Sequence, residues 1–307
     1  MNCCEILSSS GKLKFGSWSY DNTKICLLNT NNSIDIPKLE ARLLLGKVVN
    51  KNLDWTYVNL NKKLSKKEIE KFEILIKKKI RRFPTAYILG NKEFYSINYR
   101  VNKNTLIPRP ETELIVDEIK KKFSKKEKFS ILDLGTGSGC ILLSILSEFE
   151  NAIGIGIDKY DKVIRVAKLN SRRNSLCKRS KFINLNWNKK VFLKKILKVN
   201  KKFSGYEKFD LIVSNPPYLL KKEMKNLQPE VRFEPTSSLY GGKNGLSFYK
   251  RIIPRICSLA KKKYFVCFEI NPKNLKKIKH LFNYNDFHNI KCVKDLSMNN
   301  RFITIKN

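Results

Sequence analysis

The chain is expected to adopt an α/β fold: a seven-stranded, mostly parallel sheet in its C-terminal two-thirds, preceded by a small N-terminal helical domain and a bridging β-hairpin. Three observations carry that expectation. From Ser130 onward, short apolar runs alternate with segments of helical period, the pattern of a parallel sheet covered on both faces. The first of those runs passes directly into a turn with glycine at alternate positions, which suits a chain folding tightly at a strand end. The last two runs are joined only by Asp295 to Asn300, too short for a helical crossover, so they should pair as an antiparallel hairpin at the sheet edge. With 307 residues, 42% of them hydrophobic, the chain exceeds one typical domain and can bury a substantial core.

Residues 1–84 form the expected helical domain. Helical periodicity runs from Ile36 to Val49 and from Ser65 to Arg82, and Ser65 followed by Glu68 reads as a capping box. The first 30 or so residues carry little periodicity and are expected to be poorly ordered. Residues 85–112 are the hairpin linker: Phe94, Ser96 and Asn98 alternate with Tyr95, Ile97 and Tyr99, followed by Val101 and Leu106-Ile107 around a turn at Asn102-Lys103-Asn104. Pro110 then suits a first helical position, and Glu111 and Glu113 suit the positive end of the helix dipole. A capped helix start accounts for these prolines and acids, but not for Arg109, whose guanidinium a stiff backbone presents. Residues 113–307 form the α/β domain, with strands near 130–134, 153–157, 182–185, 209–213, 264–270, 288–294 and 301–306. The long segment from Ser214 to Gly245 has little periodicity, and a loop of that length in a compact domain is usually functional.

The chemistry concentrates at three strand ends. After Ile131-Leu132-Asp133-Leu134 come Gly135, Thr136, Gly137, Ser138 and Gly139, then an apolar helix. The G-x-G-x-G spacing lets a cofactor approach the backbone and differs from the dinucleotide fingerprint G-x-G-x-x-G, which argues against NAD. The second strand ends in Asp158, 21 residues after Gly137, where an acid can accept from two ribose hydroxyls. The apolar run Phe209 to Val213 delivers Asn215-Pro216-Pro217-Tyr218. There the Asn215 carboxamide oxygen and the Pro216 carbonyl offer two acceptors for a planar NH2 group, and neither proline has an N–H to consume them. Tyr218 supplies a stacking wall. A glycine turn, an acidic strand end and this loop, in this order, indicate a Rossmann-like class I S-adenosylmethionine-dependent methyltransferase fold.

From about Leu39 to Ile305 the chain is similar to the peptide chain release factor glutamine methyltransferases, the PrmC/HemK family. The matching runs are Ala41 to Leu45, Leu106-Ile107-Pro108-Arg109-Pro110-Glu111-Thr112-Glu113, the glycine turn, Asn215 to Tyr218, and Val231-Arg232-Phe233-Glu234-Pro235. The resemblance implies methylation of the side-chain amide of the glutamine in the Gly-Gly-Gln motif of class 1 release factors, with the helical domain recognising that substrate. It places the glycine turn at the methionine part of S-adenosyl-L-methionine, Asp158 at the ribose, and Asn186 and Trp187 beside the adenine; Trp187 suits core packing as well. Asn215, Pro216 and Tyr218 would be catalytic, with Pro217 and Arg109 also on the substrate side. Two departures stand out. Asn186 replaces the usual Asp before the Trp, and Asn271 replaces the usual Gly after Glu269-Ile270. Competing readings are a ribosomal-protein glutamine methyltransferase, an adenine amino-methyltransferase of nucleic acid, and a binding protein that kept the fold without activity. No separate target-recognition domain that could flip a base is present to favour the adenine reading.

Composition narrows the setting. No apolar run approaches the roughly 18 residues of a membrane span, and the N-terminus lacks a signal-peptide pattern, so a cytoplasmic protein is expected. The eight cysteines contain no C-x-x-C pair and read as reduced thiols; the only histidines, His280 and His288, make a metal site unexpected. The net charge of +36 could suggest nucleic acid, but only 13 of the 63 basic residues are Arg. The lysine excess accompanies Asn, Ile, Phe and Tyr, which share A/T-rich codons, so compositional drift explains it and no specific nucleic-acid binding is expected.

Overall fold

The computed structural model describes residues 17–21, 24–29, 32–59 and 62–307, which fall into two compact units. One runs to Gly90 and includes Pro229–Phe233; the other comprises Asn91–Gln228 and Glu234–Asn307.

The first unit opens with three antiparallel strands, β1 (Ser17–Asp21), β2 (Lys24–Asn29) and β3 (Asn32–Pro37), with β2 in the middle. This sheet corrects one expectation: the described part of the unit is not wholly helical. The expectation of poor order for residues 1–16 lies outside the described residues, as do Cys3 and Cys4. Runs as short as Ile25-Cys26-Leu27-Leu28 carry no period that separates strand from loop, which is why the pattern gave no warning. Helices α1 (Lys38–Val49), α2 (Leu53–Val58), α3 (Lys66–Ile80) and α4 (Thr85–Leu89) follow. Leu44, Leu45, Phe72, Ile76 and Ile88 pack into one core with Ile36. The Ser65–Glu68 capping box is present in both directions at the start of α3. Pro229–Phe233 clips onto this unit: Glu230 pairs with Arg82 at 3.2 Å, and the Phe233 ring meets Phe83 edge-on at 5.1 Å.

The second unit begins with a hairpin, β4 (Asn91–Phe94) and β5 (Ile97–Arg100). Its turn is Tyr95-Ser96, both residues at positive φ (51° and 59°), and not Asn102-Lys103-Asn104, which belongs to a separate turn closed by the Thr105 N–H on the Asn102 carbonyl. Two non-glycine residues hold that conformation because tertiary bonds fix it. The Tyr95 N–H donates to Glu113 and its hydroxyl to Asp117, each at 3.0 Å.

The main sheet consists of β6 (Ser130–Leu134), β7 (Ile153–Asp158), β8 (Ser180–Asn184), β9 (Phe209–Ser214), β10 (Ala260–Glu269), β11 (Ile290–Lys294) and β12 (Asn300–Lys306), in the order β11-β12-β10-β9-β6-β7-β8. All neighbours are parallel except β12, which runs against both β10 and β11, so the anticipated edge hairpin is present. Alternate strand residues feed two cores. Leu132, Ile155, Ile212 and Val266 face one side, and Ile131, Leu211, Val213 and Cys267 the other. Helices α5 (Leu114–Lys120), α6 (Cys140–Glu148), α7 (Asp161–Arg173), α8 (Phe192–Ser204) and α9 (Leu275–Asn283) supply the covering layers. Strand order reverses beside β6, and there the C-terminal ends of β6, β7, β9 and β10 bring Leu134, Asp158, Ser214 and Glu269 to one edge.

Candidate active site

At that edge lies a cavity of about 460 Å³ whose walls include Gly135, Gly137, Asp158, Trp187, Asn215 and Pro217. Gly135 and Gly137 sit at φ of 75° and 55°, left-handed values that L side chains adopt at a cost. The Gly135 and Thr136 N–H groups both donate to the Ile157 carbonyl at 2.9 Å, tying the turn to β7. A Cβ on Gly135 would meet only the Trp187 ring at 3.6 Å, so the glycine leaves a slot between turn and indole.

The other residues of the turn lie behind it. Thr136 is buried and donates to Asp133 at 2.6 Å; Ser138 is buried, and its carbonyl accepts from Asn170. Gly139, also at positive φ, begins α6 packed against Phe182 and Leu143. Asn170 also exchanges two hydrogen bonds with the backbone of Arg100, pinning the hairpin to the turn. Burial pushes the Asp133 carboxyl up to about 7, against the Thr136 hydrogen bond. Asp158 accepts from the Tyr160 N–H at 3.2 Å, and burial raises it too, against that bond and one from the Gly137 N–H. Trp187 stands edge-on to Phe248 at 5.6 Å, and its carbonyl accepts from Arg255. Asn186 turns its side chain back to the Asn188 N–H at 2.8 Å, leaving Asn188 at the cavity wall.

On the opposite wall, Asn215 and Pro217 reach the cavity while Pro216 is buried. Asn215 Nδ2 donates to Thr112 Oγ1 at 3.1 Å, and Thr112 donates to Glu269 Oε2 at 2.7 Å. The Tyr218 hydroxyl donates to Glu269 Oε1 at 3.1 Å, so one buried carboxyl holds both the asparagine and the tyrosine of the loop. Burial pushes Glu269 up to about 7, against the bonds from Thr112 and Tyr218. The same burial drives the Tyr218 phenol well above its ordinary range. The segment after the loop folds back on it: Leu219 bridges Tyr240, and the Gly241 N–H donates to the Leu219 carbonyl. Arg109 pairs with the buried Glu234, whose second oxygen accepts from the Ile107 N–H at 3.0 Å. Its guanidinium therefore holds an acid next to the loop and does not line the cavity.

Thr112 and Glu269 fall within the sequence motifs, but nothing local marks either for a role. They stand 157 residues apart, and no local signal says that they meet. Tyr160, Phe248 and the Pro235–Ser238 rim were likewise missed. Among the described residues no group of three His, Cys, Asp or Glu could hold a metal ion, and no helix is long and apolar enough to cross a membrane.

The PrmC N-terminal domain model matches residues 26–90 of this chain, and a methyltransferase domain model matches residues 125–305. A release factor glutamine methyltransferase of Caulobacter vibrioides is 36% identical over 271 residues, covering 88% of this chain and 89% of that protein. One from Buchnera aphidicola is 35% identical, covering 86% of this chain and 90% of its own length. A bifunctional methyltransferase of Rickettsia typhi is 36% identical over 89% of this chain, which spans 54% of that longer protein. Among solved structures, the N-terminal domain of human METTL16 in complex with SAH superposes with a TM-score of 0.51 at 17% identity, covering 86% of this chain and 93% of that one. That likeness is one of fold.

Proposed function

This chain belongs to the release factor glutamine methyltransferase family, and we propose that it methylates the side-chain amide nitrogen of the glutamine in the Gly-Gly-Gln motif of class 1 peptide chain release factors. The observation that carries the reading is the commitment of Asn215 Nδ2 to Thr112, which turns the carboxamide oxygen away from that bond and leaves it as an acceptor. With the Pro216 carbonyl it matches the two donors of a primary amide.

The residues present fit S-adenosyl-L-methionine. Gly135 and Gly137 leave room over the turn for its methionine part, Asp158 offers a carboxylate to the ribose hydroxyls, and the Trp187–Asn188 wall suits the adenine. Thr136, Ser138 and Gly139 act from behind by holding the turn, and Asn186 by holding Asn188. When bound, this cofactor supplies an electrophilic methyl group. Amide nitrogen is nearly non-basic because its lone pair is delocalised, so the chain contributes orientation more than a base. Asn215 Oδ1 and the Pro216 carbonyl fix the nitrogen and favour the positive charge that develops there; its proton then leaves to water. Tyr218, anchored through its hydroxyl, supports the amide plane, and Arg109 steadies the neighbouring segment through Glu234.

The N-terminal unit recognises the release factor, the reaction is cytoplasmic, and nucleic acid is not a specific ligand in this reading. Incubation with methyl-labelled S-adenosylmethionine and either a release factor or DNA tests it. Label confined to the Gly-Gly-Gln glutamine supports the proposal; label on adenine, or none on the release factor, overturns it.

A further inference from the structure

We infer that Glu269, acting through the Thr112 hydroxyl, sets which end of the Asn215 carboxamide faces the cavity, so that both are positioning residues for methyl transfer. The inference rests on the reading of Asn215 as the acceptor for the substrate amide.

A hydroxyl has one proton to give. Thr112 Oγ1 lies 2.7 Å from Glu269 Oε2 and 3.1 Å from Asn215 Nδ2. An ionised Glu269 only accepts, and both its oxygens are taken, by Thr112 and by Tyr218. The Thr112 proton must then point at Glu269, leaving Thr112 only lone pairs for Asn215. Asn215 answers with its NH2 and presents Oδ1 to the cavity. Protonation of Glu269 removes that constraint: its new proton can go to Thr112, whose own proton turns to Asn215. The carboxamide then satisfies the bond with its oxygen and shows donors to an incoming NH2 group, donor against donor.

The charge environment of Glu269 bears on when this happens. Glu111, beside Thr112, raises its proton affinity, while Arg301 on β12 lowers it. Tyr218 faces it from the loop; Tyr249 donates to its main-chain carbonyl at 2.6 Å; Cys267 lies on its own strand. Burial outweighs the favourable partners, and the carboxyl titrates at about 7.

The test measures single-turnover rates on a release factor with labelled S-adenosylmethionine from about pH 6 to about pH 9. The unaltered chain should lose rate as pH falls below about 7. Glu269→Gln should be about 10- to 100-fold slower at high pH, with that acid limb gone. Thr112→Val should be similarly slow and Thr112→Ser restored, each with unchanged cofactor affinity as proof of folding. Should Thr112→Val fail to bind cofactor, the Glu269→Gln profile decides alone. Normal rates in Glu269→Gln, or an acid limb retained there, overturn the inference. If Asn215→Ala is inactive alongside those normal rates, only the positioning role falls; an active Asn215→Ala sinks the amide grip itself.

Discussion

Asn215 and Asp158 hold opposite walls of one cavity by different means, and their loss should separate rate from affinity. In the proposed reaction Asn215 would offer a neutral acceptor to a group that becomes cationic only during methyl transfer. Asn215→Ala is therefore expected to lower kcat by about 100-fold or more, with the dissociation constant for cofactor changed little. In the same proposal Asp158 would give charge-assisted hydrogen bonds to the bound cofactor, and Asp158→Ala should weaken cofactor binding about 10- to 100-fold, by titration calorimetry, with kcat at saturation nearly retained. Near-normal turnover in the first variant, or unaltered binding in the second, would refute the assignment concerned. Glu269 shows what such a site asks of the fold. It titrates at about 7 in the folded chain against 4.5 as its ordinary value, so over that window the folded state holds a proton that the unfolded state has released. Its contribution to stability accordingly falls as pH rises through this range. The ionised form that the positioning role requires is thus the less stable one.

At the scale of elements, the segment after the Asn-Pro-Pro-Tyr loop buttresses it through glycine. A Cβ on Gly241 would stand 2.6 Å from Tyr218 Cα and 2.7 Å from the Pro217 carbonyl oxygen, both backbone atoms that cannot swing aside. Gly241→Ala should displace the loop and lower kcat at least about tenfold, while far-ultraviolet circular dichroism shows an intact sheet and helices. An unchanged kcat would mean that the loop absorbs the methyl group. The elements legible in the sequence are those with local signals: the alternating strands and helices, the Ser65–Glu68 box, the glycine turn, the double proline after β9. The Tyr95-Ser96 turn was misplaced because neither residue favours positive φ alone; bonds to Glu113 and Asp117 from later in the chain impose it. The same non-locality hid Glu269 and Thr112, and it gave Arg109 its partner, Glu234, 125 residues further along the chain. Cavity-lining residues were found where a motif named them and missed where only folding gathers them, as with Phe248 and Tyr160.

For the whole molecule, 63 basic residues face 27 acidic ones, a net charge of +36. Ion pairs such as Lys201–Glu207 and Arg165–Asp161 lie exposed and contribute little, so the dominant long-range effect on stability is mutual repulsion among lysines. Repulsion acts over the Debye length, which shrinks from about 30 Å in 10 mM salt to about 8 Å at physiological strength. The unfolded chain spreads the same charges farther apart, so screening relieves the folded state more. The melting temperature is therefore expected to rise with sodium chloride over this range, most steeply at the low end, where calorimetry should read it. A melting temperature that fell instead would show that paired charges such as Lys79–Glu40, at 2.9 Å and nearly buried on the lysine side, outweigh the excess. The lysine surplus would then be part of how this fold is held, and no longer a burden that composition placed on it.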